Sequence, residues 1–141
     1  MHIHGTCHCK AISFTATVDP TKVLACHCDD CQKMTGAPYR TVVPAMAQNV
    51  QMTGSPKHYI KTAQSGNRRD QVFCGTCGTH LYATDPDNPE IFGLRVGAID
   101  ERASLPPQLH IWCSSAMTWI TDLKNAPWFS QGPTSALFTP K

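Results

Sequence analysis

Residues 71–82 read QVFCGTCGTHLY. The CxxC pair inside this stretch has two readings, and they belong to different folds. Opening a helix after a strand, it would be the redox pair of a βαβ protein. Here it lies between two strand candidates, QVFC and HLYAT, and GTHLY carries no helix start. Gly75 and Gly78 allow a turn tight enough to aim Cys74 and Cys77 at one metal ion. The stretch therefore reads as a metal knuckle between strands, and the expected class is mainly β.

The rest of the chain agrees with that class. In AISFTATV, Ile12, Phe14, Ala16 and Val18 alternate with polar residues, as in a half-buried strand. Phe92, Leu94, Val96 and Ala98 alternate in the same way in EIFGLRVGAI. TVV, KHYIKT and LHIW are shorter strand candidates, separated by Pro- and Gly-containing breaks. A short helix is expected over 30–35, capped by Asp29 and ended by Gly36, with a second helical turn near Ser115–Lys124. Trp119, Trp128 and Phe129 are expected to cover the sheet. A single domain over 1–130 is expected, with 131–141 as a surface tail.

The remaining cysteines sort around the knuckle. Cys7 and Cys9, in CHC, share a side if that segment is extended. Doublet plus doublet gives a four-cysteine set, Cys7, Cys9, Cys74 and Cys77, joining segments more than sixty residues apart. The triplet Cys26, Cys28 and Cys31, in CHCDDC, is left one ligand short of a tetrahedron. His27, Asp29, Asp30 or the distant Cys113 could fill the fourth place, or it could stay open. An extended segment turns His27 away, and Asp29 is better used as a helix cap. For Cys113, a buried structural role is the simpler expectation. An open metal held by three thiolates is electron-rich, and suits exchange of a fourth sulfur better than activation of water.

Composition narrows the function. The chain has 141 residues, with 41% hydrophobic and 16% charged, as in a globular protein. The net charge is +2 and no basic run exceeds Arg68–Arg69, which argues against nucleic acid as partner. No apolar run is long enough for a membrane span, and MHIHGTCHCK has no apolar signal core. Clustered cysteines without such a signal fit the cytosol and metal binding.

Four blocks, GTCHCKAISF, CHCDDCQKMTGAPY, RRDQVFCGTCGTHLY and HIW, are spread in this order over roughly residues 5–112. They resemble the glutathione-dependent formaldehyde-activating enzyme family, whose domain is shared with centromere protein V. The resemblance implies Mss4-like antiparallel sheets built around zinc, with few short helices. It implies two zinc ions. One is structural, on Cys7, Cys9, Cys74 and Cys77. The other, on Cys26, Cys28 and Cys31, is the catalytic one with an open position. It also implies a carbon–sulfur lyase type of activity, joining glutathione and formaldehyde into S-hydroxymethylglutathione. The alternative is a non-catalytic two-zinc binding module; a third reading is a redox switch at the triplet. A homodimer is left open. Lys33 matches a lysine of the family's triplet block and is the candidate to meet a glutathione carboxylate. Arg68 and Arg69 could attract an anionic substrate. Lys10 stands where the family has glycine, and His80 where it has proline. Trp112 and His110 are expected in core and wall.

Overall fold

The computed structural model describes residues 1–140. In chain order the elements are β1 His2–Thr6, β2 Ser13–Thr17, β3 Leu24–Cys26, α1 Asp29–Thr35, β4 Arg40–Met46 and β5 Val50–Thr53. Then follow β6 Lys57–Thr62, β7 Arg68–Phe73, β8 His80–Thr84, β9 Ile91–Arg95 and β10 Leu109–Ile111. The mainly β expectation holds. The strands form a three-stranded sheet, β1-β2-β5, and a seven-stranded sheet, β10-β3-β4-β9-β8-β7-β6. Every pairing is antiparallel except β10 on β3, which is parallel. No helix of the described residues is long and apolar enough to cross a membrane.

The predicted alternations mark the inner faces. Ile12, Phe14, Ala16 and Val18 are all buried, and so are Leu94, Val96 and Ala98, with Phe92 packed against them. Ile3 from the smaller sheet joins Val43, Val72, Leu81 and Leu94 from the larger one in a single apolar cluster. Each fully buried Leu or Ile of this kind contributes about 1.5–3 kcal/mol. The outer face of the larger sheet is then free to carry chemistry.

Two local expectations are corrected here. The helix spans Asp29–Thr35, and its N-cap is Cys28, whose Sγ accepts the Cys31 N–H at 3.4 Å, not Asp29, which sits in the first turn. Gly36 ends it as expected, with φ 64°. Trp119, Trp128 and Phe129 do not cover the sheet; they are exposed beyond β10. There Phe138 N–H donates to Trp128 O and Phe129 pairs with Leu137, so residues 128–138 close on themselves as a loop. Helical turns at Cys113–Ser115 and Ile120–Asn125 occupy the region where one was expected.

The CHC segment is a turn and not an extended run. Lys10 N–H donates to Cys7 O at 2.9 Å, and Lys10 takes φ 65°. This left-handed conformation costs a residue with a Cβ roughly 1–2 kcal/mol. That is the physical sense of the glycine expected there by resemblance. Lys10→Gly is predicted to stabilise the metal-loaded protein by about 1 kcal/mol. The check is the denaturant midpoint, which should rise; a lower midpoint would show that the lysine side chain supports the turn.

Candidate metal centres

The structure brings together both cysteine groups expected from spacing. The Sγ atoms of Cys7, Cys9, Cys74 and Cys77 all lie within 4.8 Å of one another. Cys7 to Cys9 is 3.6 Å and Cys9 to Cys74 is 3.7 Å. Four sulfurs bound at about 2.3 Å to one centre stand roughly 3.8 Å apart, so this donor set fits a tetrahedral metal ion. The knuckle is built by its backbone. Gly78 N–H donates to Cys74 O at 2.8 Å, and Gly78 reaches φ 76°, where glycine is unstrained. Ile12 N–H points at Cys7 Sγ, 3.3 Å away. Thr79 ties the two halves: its Oγ1 accepts the His8 N–H and lies 3.2 Å from Cys77 Sγ. The Thr79 hydroxyl, with the Cys9 and Thr79 N–H groups, brings the Cys77 thiol down to about 5. A group that sheds its proton this readily suits a metal ligand.

Cys26, Cys28 and Cys31 form the second group, also within 4.8 Å. The end of β3 and the start of α1 place them. Contact with Cys31 holds the Cys26 thiol down at about 5, helped by the Cys28 N–H and the Arg40 charge; the same contact pushes Cys31 up. Three sulfurs this close, with Cys26 shedding its proton readily, fit a metal with three protein ligands. Access to a cleft, and not burial, separates it from the first group, which includes the exposed Cys9. All three triplet cysteines border a cleft of about 520 Å³, and none of Cys7, Cys9, Cys74 and Cys77 does.

The cleft lies on the outer face of the larger sheet. Leu24, Val42, Ile91, Ile111 and Trp112 supply apolar wall, and Arg40, Lys61, Arg69, Gln71 and Arg95 supply polar surface. Lys61 is paired with Asp30 of α1. Of the expected cations, Arg69 reaches the cleft, while Arg68 pairs with Asp87 at 3.1 Å. Lys33 is exposed on α1 and is not part of the cleft wall. His27 turns away from the triplet as expected. It is buried, with Nε2 2.8 Å from Nδ1 of His110. Cys113 is exposed and belongs to neither sulfur group, against the expectation of a buried thiol. Trp112 is wall, and His110 is exposed rather than core.

The feature that spacing missed is at the cleft floor. Gln71 Oε1 accepts from Arg40 Nη1 and from Arg95 Nη2, each at 2.9 Å. Both arginines are more than nine-tenths buried. A signal existed: Arg95 interrupts the apolar run of EIFGLRVGAI, and a charge in a buried strand marks a constrained position.

Comparison with known proteins places these features. A family model for the glutathione-dependent formaldehyde-activating enzymes matches residues 2–115. An uncharacterized lyase of Schizosaccharomyces pombe is 30% identical over 91 residues, covering 60% of the chain and 61% of that protein's length. A Halomonas elongata protein that bears the name of the glutathione-dependent formaldehyde-activating enzymes is 26% identical over 126 residues, covering 85% of the chain and 80% of that protein. The fold matches the crystal structure of a Rhodobacter sphaeroides protein with a TM-score of 0.58 at 20% identity, over 76% of the chain and 98% of that structure.

Proposed function

Since the chain belongs to the glutathione-dependent formaldehyde-activating enzyme family, we propose that it is a zinc-dependent carbon–sulfur lyase-type protein. In this reading it forms, and in the lyase direction splits, the adduct of a glutathione-class thiol and an aldehyde. The observation that carries the reading is the triplet Cys26, Cys28 and Cys31, three sulfurs on the border of an open cleft. A zinc ion bound there supplies a Lewis acid with room for one further, sulfur-bearing ligand. In this reading the four-cysteine set, Cys7, Cys9, Cys74 and Cys77, holds a second, structural zinc.

The reaction is an addition. The thiol sulfur forms a bond to the aldehyde carbon, the C=O π pair moves to oxygen, and the thiol proton ends on that oxygen as a hydroxyl. Nothing leaves, so the protein's work is positioning and charge. Arg40 and Arg95 lend positive charge beside the triplet, which favours thiolate there. Arg69 and Lys61 border the cleft where the carboxylates of a glutathione-class thiol would lie. Trp112, Ile111 and Ile91 shed water from the reacting pair. Holding thiol and aldehyde together replaces a bimolecular encounter, and good orientation contributes up to about 7–11 kcal/mol to such steps.

Native mass spectrometry of the metal-replete protein with glutathione tests this. Two metal ions and one glutathione per intact chain are expected. Cys28→Ser is expected to lose one metal and the glutathione while keeping its far-ultraviolet circular dichroism. Two metals with no adduct at millimolar glutathione would sink the reading and leave a two-metal binding module.

A further inference from the structure

A second cavity, of about 480 Å³, is bordered by α1, the start of β4, the segment after the CGTC knuckle and the end of β9. Its polar lining includes Tyr39, Arg40, Thr79, His80 and Arg95, and among the described residues no carboxylate lines it. Arg40 is 4% exposed and Arg95 8% exposed, and neither forms an ion pair with a described carboxylate. Gln71 satisfies only one nitrogen of each guanidinium.

Three of the residues that line this cavity carry four buried nitrogens with no hydrogen-bond partner among the described residues: Arg40 Nε and Nη2, Arg95 Nε and His80 Nδ1. Buried polar groups are nearly always paired, so four orphans on three residues around one cavity need a reason. Their arrangement gives one. Nε and Nη2 form the side edge of a guanidinium, where two parallel N–H bonds match two oxygens of a carboxylate or phosphate. The triplet sulfurs do not use this edge, since neither nitrogen makes a hydrogen bond to them. Neutral imidazole can carry its proton on Nδ1 and donate as well.

We propose that the second cavity is an oxyanion site. The Nε/Nη2 edge of Arg40 grips the anion, and Arg95 Nε–H and His80 Nδ1–H complete its coordination. The site does not depend on the thiol chemistry proposed above. Its ligand has two sources with one chemistry: a free small oxyanion, or the carboxylate end of a larger molecule. The second is open because Arg40 and Arg95 border both cavities.

The test is the ¹H–¹⁵N spectrum of the arginine Nε–H groups in metal-loaded protein, titrated separately with acetate, inorganic phosphate and S-methylglutathione. The last keeps the carboxylates of glutathione but has no free thiol. The Arg40 and Arg95 Nε–H signals are expected to shift saturably with at least one probe. Acetate or phosphate acting alone identifies a free ion; S-methylglutathione acting alone identifies a carboxylate end. Arg40→Lys keeps the charge and loses the two-pronged edge, so binding should weaken about tenfold. His80→Phe keeps the ring stacked on Phe73 (centroids 5.9 Å apart) and should weaken binding several-fold. No saturable shift with any of the three probes would overturn the proposal. So would unchanged affinity in folded Arg40→Lys or His80→Phe.

Discussion

Cys74→Ser is expected to leave the chain largely unfolded at room temperature. Cys74 is 2% exposed, and its sulfur sits 3.7 Å from that of Cys9 across the four-cysteine set. Structural zinc sites of this type contribute about 10–16 kcal/mol in apparent terms in small peptides. A domain of this size has only about 5–15 kcal/mol of net stability. In the two-zinc reading, losing a contribution of that size would match or exceed the whole net stability. The measurement is zinc stoichiometry together with thermal unfolding: at most one zinc per chain, and loss of the cooperative transition. A strong chelator should do the same to the unaltered protein. Cys28→Ser, at the cleft, is the contrast, because its metal joins residues already close in sequence. A Cys74→Ser protein with an unchanged cooperative transition would show that the sheets stand without the metal, and the division into a holding site and a working site would fall.

Gln71→Leu is the second large effect. One carbonyl oxygen, Gln71 Oε1, accepts from two buried guanidinium groups. Burial, then the charge of Arg40, brings Arg95 down to about 9, so the pair is already under electrostatic load. Hydrogen bonds to charged groups contribute about 1.5–3 kcal/mol each. Removing both acceptances is expected to cost roughly 3–6 kcal/mol, read from equilibrium denaturation of the metal-loaded protein. Gln71→Glu should not pay that penalty, because a carboxylate of the same shape keeps both contacts and neutralises one cation. A cost below about 1 kcal/mol for the leucine variant would mean that the arginines find other acceptors.

The alternating strands were legible because one face of each is buried and the other wet; β2 shows this with Phe14 and Ala16, flanked by buried Ile12 and Val18. The grouping of seven cysteines was legible because the ligands come in local pairs and a local triplet. The short strands β1, β3 and β5 were not. HIHGT contains glycine and two histidines, and LAC is too short to show a period. These strands exist because neighbours across the sheet take up their N–H and C=O groups, and that information is not local. The same reason hid the cleft floor. Arg40, Gln71 and Arg95 come from β4, β7 and β9, and only strand order makes them neighbours. Lys33 fails to reach the cleft wall because helical phase turns it outward, while Lys61, from a distant hairpin, comes in beside Asp30.

The two halves of the four-cysteine set differ in how they form during folding. Cys74 and Cys77 sit at the tip of the β7–β8 hairpin, a unit that assembles locally within microseconds. Cys9 is 65 residues away from Cys74. Closing a flexible loop of that length costs roughly 4 kcal/mol in chain entropy by (3/2)RT ln n, before any new contact repays it. In the two-zinc reading, the knuckle can hold an ion on two sulfurs before the amino-terminal strand arrives. In that reading, metal supply governs the tempo of folding as well as its end point. Scarce ion leaves chains waiting at the hairpin stage, with the edge of β7–β8 open to other chains.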